Sequence, residues 1–93
     1  MVARKEVSGL YLNVGAEILI KGEEIVGIFD LDSSSVGSDT KRILREAEKN
    51  GRLHQAGYEL PKSFVVTVSG EIYLSQFASS VLSDEIKSAR WLP

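Results

Sequence analysis

The stretch "YELPKSFVVTVSGEIYLS", residues 58–75, begins with a Pro-Lys turn and continues with β-branched and aromatic residues at alternating positions. The alternation predicts two strands, at residues 64–68 and 71–74, and Ser69-Gly70 predicts the hairpin turn between them. The stretch does not show whether the "ELPKS" turn before the hairpin has a function or only separates two strands. The core positions that we expect in the hairpin are Val65, Val68 and Ile72.

The first third of the chain is also predicted to be β. Apolar residues alternate over 10–14 and 18–20, with Gly15 between them, which predicts a hairpin or two short strands. Residues 25–31, "IVGIFDL", are apolar at nearly every position, as is typical of a central strand. Residues 53–58 predict a fourth strand.

Two helices complete the predicted elements. Ser38 and Asp39 are candidate N-caps of a helix over about residues 39–50, and Asn50-Gly51 is a typical helix end. The last helix is amphipathic, and its apolar residues are Phe77, Val81, Leu82 and Ile86. The predicted fold class is α+β: a small twisted β-sheet of five or six strands with two helices, in the order βββαβββα.

Length and composition limit the class of protein. Residues 1–93, with 43% hydrophobic and 26% charged residues, are typical of one small soluble domain. The absence of cysteine excludes a disulfide, a thiol nucleophile and a Cys-ligated zinc site. No apolar run approaches the roughly 20 residues of a membrane-spanning helix, and no export signal is visible. We therefore expect a cytoplasmic protein with no membrane partner, no metal and no cofactor.

Catalytic motifs are weak or incomplete. Asp30 and Asp32 follow an apolar strand and are similar to the nucleophile motif of haloacid-dehalogenase-type phosphatases, but that chemistry also needs magnesium, a phosphate-binding lysine and a larger sheet. The same acids resemble the start of a calcium loop, but Ser35 and Lys41 stand where such a loop needs Gly and Glu. His54 is the only histidine, so neither a catalytic triad nor a His-based metal site can form. We predict that the protein is not an enzyme.

Basic residues are concentrated in one segment, although the net charge of the chain is −2. Residues 41–52 hold five of the 11 Lys and Arg residues. At 100° per residue the apolar side chains of this helix fall on one side and the basic ones on the other. The stripe has two interpretations: a surface that contacts phosphates, or an ordinary solvated helix face. Its basic residues are Lys41, Arg42, Arg45 and Lys49, opposite Ile43, Leu44 and Ala47.

Four segments lie in this order within roughly residues 10–87: "LYLNVGAEILI", "EIVGIFD", "TKRILREAEKNGRLHQAGY" and "KSFVVTVSGEIYLS". Together they resemble the RemA/RemB family of extracellular matrix regulators. The helix segment is similar to the RemA type, whereas "YLNVG" and "KSFVVT" are closer to the RemB type.

The resemblance implies a DNA-binding transcriptional regulator of biofilm matrix genes, with a fold similar to LytTR domains and assembly into a ring of identical subunits. Trp91 and Leu92 are then candidates for the interface between subunits. A ring would repeat a modest basic patch and multiply its phosphate contacts. No metal and no cofactor are implied.

The resemblance also implies that the turn after the fourth strand carries paired arginines that contact DNA. The matching positions here are Leu60 and Pro61, followed by the basic residue Lys62, and Glu59 would repel phosphate. Two hypotheses therefore remain. In the first, a homo-oligomer binds double-stranded DNA through its phosphates; in the second, the same oligomer binds a protein partner through the turn and does not bind DNA. The DNA contacts in the first hypothesis are Lys41, Arg42, Arg45, Lys49 and Lys62.

Overall fold

Six strands and two α-helices make up the computed structural model, which describes residues 11–31 and 37–90. The first three strands are β1 (Tyr11–Gly15), β2 (Ile18–Lys21) and β3 (Ile25–Asp30), with a 3₁₀ turn at Gly22–Glu24 between β2 and β3. They are followed by α1 (Ser38–Lys49), β4 (Leu53–Ala56), β5 (Ser63–Thr67), β6 (Ile72–Ser75) and α2 (Ser79–Arg90). Asp32, Ser35, Trp91 and Leu92 lie outside the described residues.

The strands form two sheets, so the prediction of a single sheet is wrong. One sheet has four strands in the order β3-β5-β6-β4, with β4 parallel to β6 and the other pairs antiparallel. The other is the β1-β2 hairpin. The Val14 carbonyl on β1 accepts a hydrogen bond of 2.7 Å from the Ser75 hydroxyl on β6. The hairpin therefore contacts a face of the larger sheet through a side chain and does not extend the sheet.

The four-stranded sheet has an apolar cluster on each face, because side chains alternate between faces along each strand. On one face the hairpin and α2 pack, and the buried residues there are Leu12, Val14, Ile20, Ala56, Val65 and Leu82. On the other face α1 packs, and the buried residues are Ala47, Phe64 and Ile72. The sheet is thus the middle layer of three.

Burial confirms part of the predicted core. Val65 and Ile72 are buried, but Val68 is 69% exposed because β5 ends at Thr67 and the chain turns there. Ile43 on α1 is also exposed. Phe77 does not belong to the last helix, since α2 begins two residues later.

The prediction of a central position for β3 is wrong, because β3 forms one edge of the four-stranded sheet. Its pairing with β5 shifts register between Ile25 and Gly27, and Val26 at this irregularity is 62% exposed. Phe29 is 46% exposed, and its ring stacks on that of Phe64 with the centroids 5.1 Å apart. The nearly continuous apolar run of β3 therefore belongs to an edge strand and not to a central one.

Of the two predicted ends of α1, the C-terminal one agrees with the structure and the N-terminal one does not. The N-cap is Gly37, with no side-chain hydrogen bond, so neither Ser38 nor Asp39 has the predicted capping role. The predicted end is confirmed: Gly51 has φ +72°, its N–H donates to the Glu48 carbonyl, and the next N–H donates to the Ala47 carbonyl. These two hydrogen bonds form a Schellman motif, which requires a left-handed residue at the Gly51 position.

Candidate nucleic-acid interface

The basic residues of α1 lie on its exposed side. Ala47 is buried against the sheet and Leu44 is half-buried, which turns the opposite side of the helix toward solvent. The basic residues on that side, all exposed, are Lys41, Arg42, Arg45 and Lys49. Because the helix packs on the sheet, the backbone positions of these four residues are fixed and their cations share one exposed surface, which can neutralise several phosphates of a duplex.

Arg42 forms an ion pair with Asp39 on the same helix. Its Nη2 lies 3.5 Å from Asp39 Oδ1, and the two side chains are 67% and 84% exposed. Exposed ion pairs of this kind contribute about 0–1 kcal/mol. Asp39 therefore competes only weakly with a phosphate for Arg42.

The turn between β4 and β5 holds Lys62 by its backbone. The Lys62 N–H donates to the Ser75 carbonyl and the Leu31 N–H donates to the Lys62 carbonyl, both at 2.8 Å. These bonds join the turn to the ends of β6 and β3, while the Lys62 side chain is exposed. Lys62 thus has a fixed backbone and a side chain that can reach an anion in solvent.

A surface groove of about 400 Å³ connects the turn with α1. Pro61 lines it together with Lys41 and Arg45, so the turn meets the basic side of the helix. Sequence patterns do not indicate this groove, because its lining residues come from distant parts of the chain. The other lining residues are Leu31, Leu44, Glu48, Leu53 and Leu74, and below we call the whole lining the α1 groove.

Arg52, the fifth basic residue of the segment 41–52, and His54 lie elsewhere. A Cβ atom on Gly70 would lie 2.9 Å from Arg52 Nη1, so the Arg52 side chain lies beside the β5-β6 turn. His54 is a strand residue, as predicted. Its Nε2 is hydrogen-bonded to Glu71 Oε1, and its ring stacks on Tyr73 with the centroids 4.9 Å apart. These contacts give His54 a place within the sheet.

Within the described ranges neither helix combines the length and the apolar composition that are needed to cross a bilayer.

The family of the chain follows from a comparison with family models. The RemA-like model, described as extracellular matrix regulatory protein A-like, matches residues 11–86. The chain belongs to the RemA-like family. The match covers both helices up to residue 86 and all six strands of this RemA-like chain. No curated protein matches the chain.

Membership in the RemA-like family confirms the resemblance and gives the chain a role in regulation of the extracellular matrix. The family is a regulatory one and is not described by an enzymatic activity. The match does not separate the RemA type from the RemB type, so the closer similarity to RemB stays a prediction. The positions where the resemblance implies DNA-contacting arginines are the exposed Leu60 and the groove-lining Pro61.

Proposed function

We propose that this RemA-like protein binds double-stranded DNA and regulates extracellular matrix and biofilm genes as a ring-shaped homo-oligomer. The observation that carries the proposal is the α1 groove, at which the basic side of α1 meets the turn that holds Lys62. Gene regulation by a bacterial protein of this kind would take place in the cytoplasm, where the chromosome lies.

Phosphate binding is the chemistry that the site supports. The exposed cations are fixed on a packed helix and on a turn whose backbone is hydrogen-bonded on both sides. Lysine and arginine in such positions neutralise phosphates and release condensed counterions, which supplies most of the affinity in non-specific binding. Without the arginine pair in the turn, Lys62 provides a point charge and no bidentate fork. We therefore expect contacts to the DNA backbone and little reading of bases.

Oligomerisation explains how a chain of net charge −2 would hold a polyanion. A symmetric ring repeats the same basic surface, and linked sites bind a continuous duplex with far higher avidity than one site alone. Exposed apolar side chains on the edge strand β3 support association between copies. Val26 and Phe29 are 62% and 46% exposed there, and an exposed apolar edge strand favours pairing with another chain.

Retardation of a duplex on a native gel, across a series of salt concentrations, tests the proposal. We expect a shifted band at low salt that weakens steeply as salt rises. The double variant Arg42→Gln with Lys62→Gln should lose the shift, whereas Lys21→Gln, on the β1-β2 hairpin, should retain it. Absence of a shift for the wild type at low salt would overturn the proposal.

A protein-interaction module of the same fold is the second candidate function. Tyr58 is 103% exposed and Leu60 is 86% exposed, so the turn presents two large apolar side chains to solvent. Aromatic and aliphatic residues of this kind are common anchors at protein interfaces. This candidate predicts that no duplex is retarded and that the oligomer still forms.

A further inference from the structure

The floor of the α1 groove is apolar and is built from four different parts of the fold. Leu31 follows β3, Leu44 lies on α1, Leu53 begins β4 and Leu74 lies on β6, and all four side chains are half-buried. Pro61 closes the side next to the turn. The groove is open to solvent along one side, and its volume of about 400 Å³ lies in the roughly 300–1,000 Å³ range of small-molecule sites.

Charges line the rim of the α1 groove unevenly. Lys41 and Arg45 are four residues apart, so they lie on neighbouring turns of the same helix face. Neither forms an ion pair with another residue in the part of the chain that the structure describes. Glu48 is in the last turn of α1, whereas Lys41 is in the first. Arg45 lies between Lys41 and Glu48 on the helix face. Because the helix dipole favours an anion toward the first turn, the side of Arg45 that faces Lys41 is the one that attracts negative charge.

We propose that the α1 groove binds a free carboxylic acid with an apolar chain of medium length. The carboxylate lies between Lys41 and Arg45, and the chain lies on the leucines of the floor. Charge complementarity selects this ligand, because a cation would face two like charges and an uncharged chain could not form the charge-assisted hydrogen bonds that a carboxylate forms with Lys41 and Arg45. One consequence rests on the function proposed above: since Lys41 and Arg45 are also DNA contacts, the acid and DNA exclude each other.

Calorimetric titration of the full chain with octanoate tests the site directly. We expect saturable binding of octanoate, because its carboxylate and its chain each have a complementary part of the groove. Butyrate, which is shorter by four CH₂ groups, should bind at least tenfold more weakly, since burial of one CH₂ changes affinity by up to about fourfold. Octylamine should not bind. No heat of binding with octanoate, or equal binding of octylamine, would overturn the proposal.

Variants of exposed residues locate the site without changing the core. Lys41→Gln with Arg45→Gln should weaken octanoate binding by about fivefold or more. Lys21→Gln removes a lysine of the β1-β2 hairpin and should leave the affinity unchanged. An equal loss in both proteins would place the acid elsewhere and overturn the proposal. Octanoate binding that disappears when the protein is concentrated would show that a second copy covers the groove, which also overturns it.

A competition experiment separates this proposal from the function proposed above. Octanoate should release a fluorescent duplex from the wild-type protein, and butyrate at the same concentration should not. If the protein does not bind the duplex but still binds octanoate in the calorimeter, the DNA proposal fails and the acid site stands. If the duplex binds and octanoate does not, the acid site fails and the DNA proposal stands.

Discussion

Ser75 is the residue that most directly joins the two sheets. Its side chain is fully buried, and its hydroxyl donates to the Val14 carbonyl at 2.7 Å while accepting from the Phe77 N–H at 3.1 Å. Buried polar groups need such partners because they have lost their contacts with water. The Ser75 hydroxyl is therefore the hydrogen-bond partner of the Val14 carbonyl on the β1-β2 hairpin and of the Phe77 N–H in the segment that leads to α2.

Replacement of this serine should be costly. Ser75→Ala removes the partner of the buried Val14 carbonyl and of the partly buried Phe77 N–H, and we expect a loss of about 1–3 kcal/mol in the free energy of unfolding. Urea denaturation followed by circular dichroism measures it. Ser80→Ala, at an exposed position of α2, is the matched control and should change stability by less than about 0.5 kcal/mol. Similar effects of the two substitutions would contradict this role of Ser75.

The turn between β1 and β2 contains backbone strain. Ala16 and Glu17 have φ of +51° and +61°, the left-handed values of a type I′ turn, in which Gly and Asn are preferred. A residue with a Cβ costs about 1–2 kcal/mol in this conformation. Glu17→Gly should therefore stabilise the protein by about 0.5–1 kcal/mol, after allowance for the greater freedom of Gly in the unfolded chain.

The same denaturation experiment with Glu46→Gly is the control for this prediction. Glu46 is exposed in the interior of α1, where Gly should destabilise by about 0.5–1 kcal/mol. The two Glu→Gly substitutions thus have opposite expected signs. A lower unfolding midpoint for Glu17→Gly would show that the turn is not strained in solution.

Individual core residues were predictable only where a strand is paired along its whole length. Val65 and Ile72 lie on opposite faces of the β5-β6 hairpin, and both are buried. Val68 continues the apolar run of β5 in the sequence but follows the last residue of the strand, and its N–H donates to the Glu24 carbonyl outside the four-stranded sheet. Periodicity cannot show where pairing ends, because the end depends on the partner strand.

Among the helices and strands, the features that depend on neighbouring residues in the sequence were predictable, as α1 shows. Its C-terminal end was predictable because Gly51 alone accounts for the left-handed residue of the cap. The edge position of β3 was not, because an apolar run is the same in sequence whether a neighbouring strand covers it or not. The exposed basic side of α1 followed from helical periodicity, but its meeting with Pro61 depends on tertiary packing.

The turn between β4 and β5 offers a gain of DNA affinity by substitution. Leu60 is 86% exposed, so a charged side chain there does not disturb the core. Leu60→Arg places a cation where the resemblance implies one. The plot of log K against log salt concentration should then become steeper by about 0.9 for each subunit whose turn contacts the duplex.

Leu60→Gln is the control for this substitution, since it removes the apolar side chain without adding charge. Its affinity for a fluorescent duplex should equal that of the wild type at each salt concentration. An unchanged slope with Leu60→Arg would show that the turn lies away from the DNA.

At the scale of the whole molecule, the arrangement of two sheets was beyond sequence patterns. The sequence predicts the strands of both the β1-β2 hairpin and the four-stranded sheet. It does not predict that the hairpin packs on the larger sheet as a second sheet, because that packing depends on side-chain contacts such as that of Ser75 with Val14. The α1 groove is hidden for the same reason, since its leucines are brought together only by the fold.

A substitution on the edge strand β3 tests whether the molecule self-associates. Val26 lies at a register shift of the edge and is 62% exposed, so Val26→Lys should leave the fold intact while it places a charge at a contact between copies. Light scattering after size-exclusion chromatography should give a multiple of 10.2 kDa for the wild type and a lower mass for Val26→Lys. Leu19→Lys, on the hairpin, is the control with an equally exposed residue and should keep the wild-type mass. A wild-type mass of one chain would contradict the ring.

The salt dependence of duplex binding in fluorescence anisotropy measures whether the basic side of α1 and Lys62 together hold DNA phosphates. For the wild type we expect a linear fall of log K with log salt concentration. For Arg42→Gln with Lys62→Gln we expect a slope less steep by about 1.8 for each subunit that contacts the duplex, since each phosphate contact contributes about 0.9. The same slope in the variant and the wild type would show that these residues do not hold DNA phosphates.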